Sequence, residues 1–209
     1  YRKHFPHCLP VCVSQAQRKM LGDESLPVVY NAVDLDEISF NGQPEDFFII
    51  VGRMTRGKGI AEAIRVAKKA GARLVIVGHV TTHLPWSEEY FLKEVKPHID
   101  GDRIRYIERL AYHDLVAMMG KAKGFLFPLQ WDEPFGIVFA EALACGTPII
   151  ACPRGALPEI VREGIDGYLI RTIPEGCAAV EKVGRLNRST CRKRAEESFS
   201  KRVIVGQYI

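Results

Sequence analysis

The sequence predicts an α/β fold: a doubly wound parallel sheet wrapped by helices. Three observations carry this. Short apolar runs alternate with stretches of helical periodicity from residue 47 onward, and glycines mark the joins between them. The composition, 47% hydrophobic and 26% charged, is that of an ordinary globular chain. At 209 residues the length suits one such domain, or one domain plus the edge of another.

The elements follow in order. Residues 9–13 read as a strand that opens the chain, and a sequence that begins at Tyr1 on such a segment is expected to belong to something longer. Residues 1–30 are assigned to the tail of a preceding domain plus a hinge. Residues 31–46, polar and carrying Asn, Asp, Gly and Pro, are assigned to a linker. The main domain, 47–209, then places strands at 47–51, 73–77, 103–107, 124–127, 148–152 and 167–170. Helices are expected at 59–70, 87–99, 112–122, 136–145 and 157–162, with Gly71 as a terminator and Ser87 as a cap. Beyond residue 170 the chain turns helical and basic through Arg185, Arg188, Arg192, Lys193 and Arg194, which predicts a solvated helical face.

Composition narrows the function classes. A net charge of +4, scattered along the chain, gives no case for a nucleic-acid partner and does not oppose a phosphate-bearing ligand. Apolar runs stay below the roughly 18 to 20 residues of a membrane span. The six cysteines are dispersed through apolar segments, as reduced thiols of a cytoplasmic protein are. His4, His7, Cys8 and Cys12 match no familiar zinc spacing, so no metal is expected.

Ligands of open α/β sheets sit beyond the carboxyl ends of the strands, and three such ends carry chemistry. The first, Gly52-Arg53-Met54-Thr55-Arg56-Gly57-Lys58-Gly59, leads from a strand into a helix and offers two cations, Arg53 and Lys58, near free helix-start N–H groups. Gly52 to Lys58 has phosphate-loop spacing, but Gly59 stands where a magnesium-holding Ser or Thr belongs, which argues against nucleotide hydrolysis. The second runs through Trp131-Asp132-Glu133-Pro134-Phe135-Gly136-Ile137-Val138 to Glu141. Glu133 lies in the loop, and Glu141 sits among Ala140, Ala142 and Leu143, where a carboxylate needs a cleft or a hydroxyl partner. The N–H groups of Phe135, Gly136 and Ile137 are expected to point at the same cleft. The third, Cys152-Pro153-Arg154-Gly155-Ala156-Leu157-Pro158-Glu159, could close a phosphate site from the other side through its backbone donors, or be an ordinary capped loop.

Together these stretches resemble the C-terminal, Rossmann-like half of the retaining GT-B glycosyltransferases of family 4. The most specific element is the E-x7-E pattern of Glu133 and Glu141, followed by Gly146-Thr147-Pro148. Val13-Ser14-Gln15 and Asn31-Ala32-Val33-Asp34 are similar to the end of the family's first domain and to its linker. The resemblance implies that Arg53 and Lys58 grip the donor diphosphate and stabilise the leaving nucleotide, and that Glu133 holds the donor sugar. Glu141 would hold the ribose and Leu110 would lie beside the base, with Gly52, Phe135, Gly136, Ile137, Val138 and Gly155 completing the donor site. It further implies a nucleotide-diphosphate sugar as donor substrate, no cofactor, and a sugar or glycolipid-type acceptor bound by a missing N-terminal domain. Without that domain, the fragment is expected to bind donor with little or no transfer. A non-catalytic nucleotide-sugar-binding module and a GT-B-like sugar-nucleotide epimerase stay open as alternatives.

Overall fold

The computed structural model describes His4 and residues 7–208 of the chain. Six parallel strands form its centre: β1 (Phe48–Val51), β2 (Leu74–Val77), β3 (Ile104–Ile107), β4 (Gly124–Phe127), β5 (Ile149–Ala151) and β6 (Gly167–Leu169). Their order is β3-β2-β1-β4-β5-β6, the doubly wound, Rossmann-like arrangement that the alternating pattern predicts. β2 and β4 are buried at every position, as strands covered by helices on both faces must be. Most strands start or stop one residue inside their predicted limits because the sheet begins at one level, with Phe48 opposite Leu74 and Leu74 opposite Ile104.

The helices are α1 (Gln15–Leu21), α2 (Ile60–Ala70), α3 (Pro85–Tyr90), α4 (Tyr112–Lys121), α5 (Ile137–Ala144), α6 (Leu157–Ile160), α7 (Ile173–Lys182), α8 (Arg188–Ser198) and α9 (Lys201–Val205). In α2, Ile60, Ala63, Ile64 and Ala67 recur on one face and are fully buried, while Arg65, Lys68 and Lys69 face water. Burying each isoleucine contributes roughly 1.5–3 kcal/mol, more than the helix's intrinsic propensity supplies. The helix ends at Gly71, whose N–H closes on the carbonyls of Ala67 and Lys68. α5 is apolar nearly all round because it lies against the sheet on one side and α8 on the other.

Four expectations are corrected. Residues 9–13 form no strand: Cys12 makes a single parallel bridge to Val28, its N–H donating to the Pro27 carbonyl at 2.9 Å. The helix expected at 87–99 is α3 followed by a wide turn, Phe91–Val95, and a tight one, Lys96–His98, since Pro97 can neither donate to nor fit inside a continuing helix. Ser87 lies inside α3, where its hydroxyl donates to the Met54 carbonyl at 2.9 Å and accepts from Thr81 N–H at 3.0 Å. The basic run is not wholly solvated. Arg185 and Lys193 are exposed, but Arg188, Arg192 and Arg194 turn inward onto backbone carbonyls.

That inward turn joins α8 to the segment 31–46 and to the ends of α4 and α5. The Arg188 guanidinium donates to the carbonyls of Asn41, Gly120 and Ala122 and to the Thr147 hydroxyl, at 2.6–3.0 Å. Arg192 reaches the carbonyls of Ile38 and Ala144. The polar segment 31–46 therefore does more than connect: Val33 and Ile38 are buried in the core, and Val33 N–H donates to the Phe199 carbonyl at 2.8 Å.

Candidate functional site

In this strand order the winding reverses between β1 and β4, and the crevice beyond their carboxyl ends is the preferred ligand position. A cavity of about 410 Å³ lies there. Val51, Gly52 and Lys58 line it from the exit of β1, and Phe127, Trp131 and Glu133 from the exit of β4. Pro134, Phe135, Gly136, Ile137 and Val138 continue the wall, and Val13 and Asn31 reach over from the N-terminal segment. A larger cleft of about 630 Å³ opens at the opposite, amino end of β1–β3, where the topology offers no helix starts.

Lys58 owes its position to a tight turn. Gly59 has φ 69°, and a Cβ there would stand 2.0 Å from the Pro128 carbonyl oxygen, so only glycine lets the turn close against the end of β4. Gln130 N–H then donates to the Gly57 carbonyl at 2.9 Å, locking the two loops together. Across this junction Lys58 Nζ meets Glu133 Oε2 at 2.5 Å, with both side chains mostly buried. Trp131 joins the pair: its indole Nε1–H donates to the same carboxylate oxygen at 3.1 Å, and its ring centroid lies 5.0 Å from Lys58 Nζ.

Glu133 is held equally firmly through its backbone. Ala156 N–H donates to the Glu133 carbonyl at 2.9 Å, and Gly155 passes so close that a Cβ would lie 2.2 Å from that oxygen. Gly155 N–H itself donates to Asp132 Oδ1 at 3.2 Å. The loop after β5 thus supports Glu133, and the Gly155 donor is engaged rather than open to a ligand.

At the mouth of α5, Gly136 is the N-cap and supplies no side chain to the helix start, so the first N–H groups are left without an intrahelical partner, and Gly136, Ile137 and Val138 line the cavity. Such groups, with the helix dipole behind them, favour an anion. The Phe135 ring does not contribute to the opening: it is buried, 5.7 Å from Tyr30 and 5.6 Å from Phe199, so only its backbone can serve the site. Arg53 is exposed beside Gly52 and makes no ion pair among the described residues.

Four residues assigned to the site lie outside the cavity wall: Arg53, Gly155, Glu141 and Leu110. Glu141, on α5, accepts from the Tyr112 hydroxyl at 3.0 Å at the start of α4, and Leu110 packs part-buried just before that helix. Burial raises the Glu141 carboxyl above its ordinary value, with the Tyr112 hydrogen bond opposing. Burial and the Glu141 charge push the Tyr112 hydroxyl up in turn. The polar partner that Glu141 needs is thus a tyrosine hydroxyl at the β3 side of the crevice.

Sequence reasoning missed Trp131, Tyr112 and the wall residues Val13 and Asn31. An aromatic two positions before Glu133 was the available signal for Trp131; contacts between elements far apart in sequence gave none for the others.

A model of glycosyl transferases group 1 matches residues 34–197. The chain belongs to this family. Among curated proteins, an uncharacterized glycosyltransferase of Methanocaldococcus jannaschii is 29% identical over 163 residues, 76% of this chain and 44% of that protein. The chain spans less than half the length of the curated relatives it matches. Among solved structures, a glycosyltransferase involved in avilamycin A biosynthesis superposes with a TM-score of 0.79 at 26% identity, covering 95% of this chain and 60% of that one. Anabaena HepE in complex with UDP-glucose shares the fold at a TM-score of 0.75 and 20% identity, covering 94% of this chain and 61% of that one. The group 1 fold is thus that of the GT-B glycosyltransferases. No helix among the described residues is long and apolar enough to cross a membrane.

Proposed function

We propose that this chain is the nucleotide-sugar-binding domain of a retaining, family 4 glycosyltransferase. The observation that carries the reading is a charged pair, Lys58 and Glu133, set in the cavity at the β1/β4 switch point beside the open start of α5, with the exposed Arg53 next to the wall residue Gly52. A diphosphate fits this combination of cations and backbone donors. Relatives named as glycosyltransferases, and a neighbour solved with UDP-glucose, support a sugar nucleotide as its bearer.

In this reading the diphosphate lies between Arg53, Lys58 and the N–H groups of residues 135–138. Glycosyl transfer builds negative charge on the departing diphosphate, and the two cations stabilise it where it develops, with no metal or cofactor assigned to the step. Glu133 accepts hydroxyls of the donor sugar, Glu141 those of the ribose, and Leu110 flanks the base. The acceptor, a sugar or glycolipid-type alcohol, is held by a second domain whose tail and hinge are residues 1–30, and this chain alone binds donor without efficient transfer. The six unpaired thiols support a cytoplasmic setting.

Calorimetric titration with UDP, GDP and ADP, in the presence of a chelator, tests the reading. One of them binds, and the double variant Arg53→Ala, Lys58→Ala weakens it at least tenfold, since each charge-assisted contact contributes about 1.5–3 kcal/mol. No binding by the wild type, or undiminished binding by the variant, defeats the assignment. Product analysis with the full gene product separates transfer from its rivals: an isomerised sugar nucleotide identifies an epimerase, and binding without turnover a non-catalytic module.

A further inference from the structure

Lys58 and Glu133 neutralise each other as the structure stands, so a ligand that takes one must leave the other with a new partner. A diphosphate carries more negative charge than a single carboxylate and will draw the Lys58 ammonium to itself. Glu133 then stays next to an anion, in a part-buried position, having lost its cation. A carboxylate so placed is repelled and swings toward water unless a donor retains it.

One donor is already in place. Trp131 Nε1–H is 3.1 Å from Glu133 Oε2, the oxygen that Lys58 contacts, so this hydrogen bond survives the departure of the lysine. The indole is exposed on one side and braced on the other: its Cβ and Cγ lie 3.5–3.6 Å from where a Gly57 Cβ would be, and Gly57 is tied by its carbonyl to Gln130 N–H. Its face stays over the path of the Lys58 ammonium at 5.0 Å, an attraction that keeps the lysine close while it changes partners. The remaining Glu133 oxygen is an acceptor without a cation, beside the diphosphate position, and suits a hydroxyl of whatever sugar the diphosphate carries.

We propose that Trp131 is a positioning residue that retains Glu133 through its indole N–H when a diphosphate draws Lys58 away, so that the carboxylate is ready for the hydroxyls of the attached sugar. This rests on the donor-site reading above, and the test separates the two. The full 209-residue chain is titrated with UDP, GDP and ADP and with UDP-glucose, GDP-mannose and ADP-glucose, as wild type, Trp131→Phe, Glu133→Gln and the double variant. Trp131→Phe keeps an aromatic face over Lys58 and loses only the indole donor.

The expected result is that Trp131→Phe binds the free diphosphate within twofold of wild type but loses fivefold or more of the extra affinity conferred by the sugar. The double variant then loses no more than Glu133→Gln alone. A spectroscopic signature accompanies this. The chain has two tryptophans, so the Trp131 indole N–H resonance is assigned by its absence in Trp131→Phe, and it shifts in Glu133→Gln while staying protected from solvent exchange when free diphosphate binds. Failure of every nucleotide to bind wild type overturns the donor-site reading and the proposal with it. Binding with a sugar increment that Trp131→Phe leaves intact, equal losses for free and sugar-bearing diphosphates, or an indole resonance indifferent to Glu133→Gln overturns the Trp131 proposal alone.

Discussion

Glu141 shows how a single side chain can be set against the stability of its own helix. Its neighbours on α5 are fully buried, and burial raises its carboxyl above the ordinary glutamate value of about 4.3. The folded chain therefore keeps a proton that the unfolded chain has released, and stability falls as pH rises from that ordinary value through the raised one. Glu141→Gln removes the titration. Urea denaturation across pH 4 to 7 is expected to show that fall in wild type and not in the variant, so that glutamine gains relative to glutamate toward neutral pH. If Glu141 also holds ribose, the same variant binds the nucleoside diphosphate more weakly while being no less stable, the trade-off expected of a group kept for binding. Parallel curves for the two proteins would mean that Tyr112 fully compensates the burial.

At the scale of elements, periodicity made the sheet and most helices legible, because alternation of apolar runs with a 3.6-residue pattern reflects which faces are buried. α8 shows where that logic stops. Its strongly polar sequence reads as a water-facing helix, yet Arg188 is nearly buried and satisfies three carbonyls and a hydroxyl that the ends of neighbouring elements leave open. Local sequence carries no mark of those carbonyls, since they belong to residues 41, 120 and 122. The same reason explains the site: the glutamates and glycines were visible as a spaced motif, whereas the closure of Trp131 on Lys58 depends on two loops meeting. Arg188→Ala is expected to cost roughly 3 kcal/mol, as buried acceptors lose a charged donor. Arg188→Lys keeps the charge without the planar fork and should lose about half of that. Chemical denaturation reads both, and a variant within 0.5 kcal/mol of wild type would show that water replaces the guanidinium.

The whole molecule depends on how residues 12–30 seat on the sheet domain. Glu159, on α6, accepts from Gln15 N–H at 2.9 Å, Ala16 N–H at 2.8 Å and the Tyr30 hydroxyl at 3.0 Å, so one carboxylate both caps α1 and anchors the segment behind it. Tyr30 fills the space between Phe135 and Phe199, which places this anchor directly behind the cavity wall. Burial first, then the Glu159 hydrogen bond, pushes the Tyr30 hydroxyl from 10.0 up to about 12. Between those values the folded chain retains a proton the unfolded chain has lost, so this contact's stability is whole below pH 10 and drains away as pH rises toward about 12. Tyr30→Phe should remove that alkaline loss at a neutral-pH cost of about 1 kcal/mol for the missing hydrogen bond. Glu159→Gln replaces one accepting oxygen with a donor and so sets an N–H against the start of α1. Hydrogen exchange should then quicken at the amides of Gln15 and Ala16 while the strands of the sheet stay protected. Equal acceleration throughout would make Glu159 a global stabiliser, and no change would show that α1 is held by its apolar contacts alone.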